Sequence, residues 1–170
     1  MGAERGVTLL ETMMAASVLL VVVAGVAGVF AYAAGQNKGQ GEISTRTTEY
    51  AGDKMEQLMA LSFNDGQTNT TVYPSQSTGG AGLGGTMAAS ASVGGTNPAS
   101  PVANYVDYLD ASGNVLNSST GAFYTRLWSI ATDSTATLKT ITVVVQAAGT
   151  GGGAGLKPTT TLVCQKTNYQ

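Results

Sequence analysis

An uncharged apolar stretch near the N-terminus constrains this chain more than any other feature. It runs from Thr12 to Ala34. About 20 residues of α-helix, at roughly 1.5 Å per residue, span a hydrocarbon core of about 30 Å. The stretch has no polar face, which argues against a buried helix of a soluble protein. It is a candidate membrane-spanning helix.

A carboxylate stands at the edge of this stretch. Glu11 directly precedes it, and a carboxylate in lipid costs roughly 2.5 to 3.5 kcal/mol unless it finds a partner. The residues that lead into the stretch read Arg5-Gly6-Val7-Thr8-Leu9-Leu10-Glu11. This sequence resembles the class III signal of type IV prepilins and type II secretion pseudopilins.

The resemblance implies how the chain is processed and assembled. A prepilin peptidase of the inner membrane would cut between Gly6 and Val7, and Val7 would become the N-methylated first residue of the mature chain. Glu11 would be the assembly residue, since in such filaments this carboxylate neutralises the N-terminal amine of a neighbouring subunit. Gly25 and Gly28 would be positions where the helix melts, because glycine lowers helix propensity by about 1 kcal/mol. Close packing of membrane helices is the other explanation for these glycines.

Two departures from the family pattern bear on the kind of subunit. The first mature residue is valine rather than the commoner phenylalanine, and the apolar stretch lacks the proline of many major pilins. They favour a minor or priming subunit, with a major pilin as an alternative. Another alternative is a secreted or surface adhesin whose Sec signal is cleaved after Ala33, although the apolar run is longer than the usual 7 to 15 or so residues. A plain single-pass anchor is a third.

Composition argues for a structural role rather than an enzyme. The chain has no histidine, which excludes His-dependent triads and ordinary zinc sites. Cys164 is the only cysteine, so no intrachain disulfide forms, and a small buried hydrophobe is the favoured interpretation. The formal net charge of −2 argues against a basic surface that would bind nucleic acid. We therefore expect no catalytic residues, no cofactor and no metal.

A second helical pattern follows the glycines at 35, 39 and 41, which are expected to loosen the chain. Acidic residues and Arg46 cluster on one face of it. Lys54 lies near the other face, and its ammonium is expected to reach water. The apolar face consists of Ile43, Thr47, Tyr50, Ala51, Leu58 and Leu61. This is an amphipathic helix that needs a partner surface and is expected to end near 62–66.

The middle of the chain, 64–101, is rich in Gly, Ser and Thr and has few large hydrophobes. Such a segment is expected to be an exposed loop, because it buries too little apolar area to offset its ordering entropy. Its run Gly80–Gly85 fits G-x-G-x-x-G by letter only. No apolar strand precedes it and no helix follows, which argues against a nucleotide site.

The rest of the chain, 102–170, alternates with the period of β-strands. The turn Asp110–Gly113 predicts a hairpin, and a calcium loop is disfavoured because no acidic residue closes it. Trp128, Tyr124 and Tyr105 are expected to pack on the sheet. Strands are predicted at 105–109, 114–116, 123–131, 138–147 and 159–165, and in 138–147 one face consists of Ile141, Val143, Val145 and Ala147. Short links imply an antiparallel meander packed on the amphipathic helix, and this head also resembles those of minor pilins and pseudopilins.

Together these patterns predict an α+β filament subunit. Its parts are a leader at 1–6, a transmembrane or fibre-core helix at 7–34, an amphipathic helix at 35–63, a loop at 64–101 and a β head at 102–170. The resemblance implies a type IV pilus or a type II secretion pseudopilus. The subunit would wait in the inner membrane with its head in the periplasm or outside the cell. Its partners would be the prepilin peptidase, other pilin or pseudopilin subunits and the assembly platform, and not nucleic acid.

Overall fold

The computed structural model describes residues 8–148 and 157–168. They form one helix and a six-stranded sheet. In chain order the elements are α1 (Leu9–Ala60), β1 (Ser92–Gly94), β2 (Val106–Leu109), β3 (Val115–Leu116), β4 (Tyr124–Thr132), β5 (Leu138–Ala147) and β6 (Thr159–Thr167). The chain divides into two compact units, Met1–Gly41 and Glu42–Gln170, and the second is called the head below.

Helix α1 is continuous from one unit into the next. The loosening expected at Gly35, Gly39 and Gly41 is not seen, since all three are helical. Each glycine costs about 1 kcal/mol, but a helix with long flanking segments extends through isolated weak positions because its costly nucleus already exists. Thr8 caps the start, where its hydroxyl accepts a hydrogen bond from the N–H of Glu11 at 3.3 Å. The helix ends at Ala60, just before the predicted stop.

The head has an α+β fold in which the second half of α1 packs on an antiparallel sheet, as predicted. The strand order is β3-β2-β4-β5-β6, and β1 pairs with β4. β2 and β1 share one edge of β4, opposite residues 124–127 and 129–131. The expectation of a simple meander is wrong at one point, because β3 lies outside β2. The long, mostly buried β4 instead takes a central place between β5 and the short strands.

The core lies between α1 and the inner face of the sheet. Tyr50, Ala51 and Leu58 are buried there, and Ile43 and Leu61 pack against it half-buried, so the predicted helix face is confirmed. The predicted face of β5 is also in the core, where Ile141, Val143, Val145 and Ala147 are buried. Tyr124, Trp128 and Ile130 of β4 lie beside them. Thr47 is fully buried, and its hydroxyl lies 2.9 Å from that of Thr160 on β6.

The middle segment is not simply an exposed loop, which corrects the expectation for 64–101. Leu83 is fully buried and Met87 nearly so, and β1 lies within the segment. The carbonyl of Asp65 accepts hydrogen bonds from the backbone N–H groups of Leu83 and Gly85 at 2.7 and 2.8 Å. Glycine permits this close backbone approach, so local hydrogen bonds order a segment that has few large side chains.

Candidate functional site

The N-terminal unit presents an uncovered apolar helix. The large apolar side chains from Leu9 to Tyr32 are between 50% and 80% exposed. By length and composition α1 can span a membrane, and its most apolar window has a mean hydropathy of 2.5 with none of it buried. An apolar surface of this kind is unfavourable in water. The exposed apolar helix is therefore compatible with membrane anchoring.

Glu11 lies in the first turn of this helix. A carboxylate is favourable there because the N-terminal end of a helix carries a partial positive charge. Glu11 lines a shallow groove with Thr8 and with apolar side chains that include Leu10, Met14 and Val18, so its surroundings are mostly apolar. Within the described residues it forms no ion pair. Gly6 and Val7, the expected cleavage and methylation positions, lie outside the described residues.

Gly25 and Gly28 are both helical within α1. A Cβ atom added at either position would meet nothing within 4 Å. Neither glycine is needed for close packing inside this chain. Melting of the helix at these positions stays a prediction for the assembled state.

A buried cluster of charges links α1 to the sheet of the head. Lys54 Nζ lies 2.7 Å from Asp107 Oδ2 on β2. Arg126 on β4 donates to the same carboxylate from Nε to Oδ1 at 2.7 Å and from Nη2 to Oδ2 at 2.8 Å. The side chains of Lys54, Asp107 and Arg126 are 0%, 1% and 9% exposed. The expectation that the Lys54 ammonium reaches water is wrong, because Asp107 provides a buried partner.

The ammonium of Lys54 has further contacts. It donates to Gln57 Oε1 at 2.8 Å and to the backbone carbonyl of Thr70, and it lies 4.2 Å from the centre of the Trp128 ring. Burial lowers the pKa of Lys54 from 10.5 to about 8, an effect that Asp107 partly opposes and Arg126 reinforces. With two cations and one carboxylate, the cluster carries a net positive charge when Lys54 is protonated.

Two lysines of the sheet bind carbonyls at and just beyond the C-terminal end of α1, which has no basic residue in its own last turn. Lys139 on β5 and Lys166 on β6 are directly opposite each other. Lys139 Nζ donates to the carbonyls of Phe63, Leu83 and Gly85 at 2.6, 2.9 and 2.7 Å. Lys166 Nζ donates to the carbonyls of Met59, at 2.6 Å, and Leu61. Burial lowers the pKa of Lys139. Lys166 thus satisfies the carbonyl of Met59 in the last turn of α1. Lys139 instead holds the segment after the helix against residues 83–85 of the middle segment.

Other sequence motifs are structural. Asp110 Oδ1 accepts hydrogen bonds from the N–H groups of Ser112 and Asn114 at 2.8 and 2.9 Å, which confirms the predicted turn. No group of residues that could hold a metal ion is found in the described ranges. Cys164 is a free, half-buried thiol that packs against the core. The Gly80–Gly85 amides that bond to carbonyls of residues 65–68 are not available to a phosphate.

Comparison of the chain with protein-family models, with curated proteins and with solved structures finds no match. What this protein does must therefore be inferred from its own residues and geometry.

Proposed function

We propose that this protein is a structural subunit, minor or priming, of a type IV pilus or a type II secretion pseudopilus. The observation that carries the proposal is the uncovered apolar helix with Glu11 in its first turn. Gly6 and Val7 precede it in the order that the prepilin signal requires. The head, an antiparallel sheet packed on the second half of α1, supports this role.

The apolar surface serves two successive environments in this mechanism. Before assembly it holds the subunit in the inner membrane, with the head outside the cytoplasm. An assembly machine then extracts the subunit, and the same surface packs against helices of neighbouring subunits in the fibre core. The apolar surface of α1 is thus buried in both states, first by lipid and then by neighbouring helices.

Processing is the first test of the proposal. We expect the mature protein to begin at Val7 with a methylated amine, and Gly6→Leu to block cleavage because its side chain would clash where glycine has none. Mass spectrometry of the N-terminal peptide decides the matter. A mature start at Ala34 would instead establish a Sec-processed secreted or surface protein, and an intact Met1 would establish a plain anchor.

Assembly is the second test. We expect Glu11→Ala to be cleaved and inserted normally but to enter sheared filaments poorly, at about a tenth of the parent level or less. The reason is that opposite charges about 4 Å apart attract far more strongly in an apolar core than in water. Glu49→Ala is the matched control, because Glu49 is an exposed glutamate on the same helix within the head. Equal incorporation of both variants would contradict the role of Glu11.

A further inference from the structure

The head contains a groove of about 800 Å³ beside the buried charge cluster. Four separate parts of the chain line it: the outer side of α1, residues 72–75, the β2–β3 hairpin and Arg126 of β4. Its volume is in the range of ligand-binding pockets, about 300 to 1,000 Å³. Tyr73, on its wall, is 84% exposed.

Two hydrogen-bond donors are held in place at this groove. Arg126 uses Nε and Nη2 on Asp107. Its Nη1 has no partner among the described residues and is not among their buried unpaired atoms, so it is open to the groove that Arg126 lines. Gln57 also lines the groove. Its Oε1 accepts from the Lys54 ammonium, which leaves the Nε2 amide, a pure donor, without a partner in the described part of the chain.

Charge selects what these donors would bind. The buried cluster behind the groove has two cations for one carboxylate, and an arginine paired on one edge still offers a charge-assisted hydrogen bond on the other. An incoming carboxylate would both accept from the two donors and balance the charge. Asp53 and Glu56 also line the groove and are solvent-exposed. They would repel a simple anion but attract a basic group carried next to the carboxylate.

We propose that this groove binds a polypeptide segment through one of its carboxylates, with a basic side chain of the same segment beside Asp53 and Glu56. Arg126 Nη1 and Gln57 Nε2 are the donors to the carboxylate. Their positions are fixed before the segment arrives by Asp107 and Lys54, which lowers the ordering cost of binding. The site lies wholly within the head and does not depend on the filament role of α1.

The test is a titration of the full-length protein, ¹⁵N-labelled, in non-ionic detergent micelles. The probes are short blocked peptides that contain one lysine followed by one glutamate, and the same peptide with glutamine in place of the glutamate. We expect saturable shifts of the Gln57 side-chain amide and Arg126 Nε–H signals with the first peptide and none with the second. A third peptide, with glutamine and a free C-terminal carboxylate, shows whether a chain terminus binds as well as a side chain does.

Two variants make the test specific. Gln57→Glu keeps an oxygen for Lys54 but replaces the donor with a repelling acceptor, so the affinity for the glutamate peptide should fall about ten- to a hundred-fold. Asp53→Asn should weaken binding of that peptide but strengthen the weak binding of acetate, which carries no basic group. If Gln57→Glu disturbs the fold, Arg126→Lys keeps a cation on Asp107 and removes Nη1. Equal binding of the glutamate and glutamine peptides, or undiminished binding by a folded donor variant, would overturn the proposal.

Discussion

Lys54 is a charged residue buried in the core of the head, and its burial needs a physical explanation. Its ammonium is fully removed from water, and an isolated buried charge would cost many kcal/mol. The ammonium forms an ion pair with Asp107. It also donates hydrogen bonds to Gln57 Oε1 and to the carbonyl of Thr70. Even so, a buried ion pair rarely stabilises more than a well-packed apolar substitute would. The net positive charge of the cluster makes Lys54 the member whose proton is most easily lost.

We expect the stability of the head to rise with pH above about pH 8. The pKa of Lys54 is about 8 in the folded chain, below its ordinary value of 10.5, so between these values the unfolded chain binds more protons. Stability then increases with pH, at most by about 1.4 kcal/mol per pH unit. Lys139, whose pKa is also lowered by burial, acts in the same direction. Burial raises the pKa values of Tyr105 and Tyr124, so these two groups oppose the trend above about pH 10.

Urea unfolding followed by the fluorescence of Trp128, the only tryptophan, measures this dependence. Lys54→Met is the control, because it removes the titrating ammonium while Asp107 keeps its contacts with Arg126. Its free energy of unfolding should change much less between pH 7.5 and pH 9.5 or so. A slope as steep as that of the parent protein would assign the effect to other groups.

At the scale of elements, the end of α1 depends on the sheet. The ammonium group of Lys166 replaces the cap that a helix usually finds in its own sequence, and that of Lys139 binds the carbonyl of Phe63 just beyond the helix. This arrangement connects the helix end to β5 and β6, the strands farthest along the chain. The last strand, β6, therefore helps to hold the C-terminal end of α1 in place.

We expect Lys166→Met to lower the free energy of unfolding by about 1 to 3 kcal/mol, since the carbonyls of Met59 and Leu61 lose their donor. The matched control is Lys157→Met, because Lys157 is exposed just before β6, and it should change stability by less than about 0.5 kcal/mol. Chemical denaturation of both variants gives the comparison. If the two variants unfold alike, the carbonyls are satisfied by water and the cap contributes nothing.

Periodicity made the main elements predictable from the sequence. The alternation of Ile141, Val143 and Val145 predicted β5 at its observed bounds, and the wheel around Tyr50 and Leu58 predicted the buried helix face. Hydrophobic burial repeats with the local backbone geometry, so a short window of sequence contains the information. Gly6, Val7 and Glu11 also form a local motif, and the roles it implies stay predictions.

Features that join distant segments were not predictable in this way. Asp107 and Arg126 are apart in sequence and meet Lys54 only because β2 pairs with β4. Polar residues at inward positions of two strands were the available signal. The middle segment is ordered by backbone hydrogen bonds between residues 65–68 and 80–85. Such bonds do not depend on side-chain hydropathy, so a hydropathy pattern does not predict them. The groove that Arg126 and Gln57 line combines four segments, and so it becomes visible only in three dimensions.

At the scale of the whole molecule, we expect the head to fold without the N-terminal unit. Deletion of residues 1–34 should give a soluble, monomeric domain, because the core residues all lie in the unit Glu42–Gln170. In this fragment Val143→Asp should abolish folding. It buries an unpaired carboxylate, at a cost of several kcal/mol against a total stability of about 5 to 15 kcal/mol.

Circular dichroism and thermal melts of the fragment measure both effects. Val163→Asp is the matched control on the neighbouring strand, where Val163 is 62% exposed, and it should melt close to the parent. A Val143→Asp fragment that melts like this control would show that β5 does not face α1. An unfolded parent fragment would show that the head needs the N-terminal unit.

The glycines of this chain differ in their freedom to mutate. A Cβ atom at Gly66 would lie 2.8 Å from the Cα of Gly85, and one at Gly80 would collide with the backbone of Asn69. At Gly25 and Gly39 the same atom would meet only open space. Selection for the fold of this chain alone should therefore hold the first two glycines fixed and let the others drift to alanine. In evolutionary terms, we expect these positions of the Gly-rich middle segment to be constrained by the fold of the head.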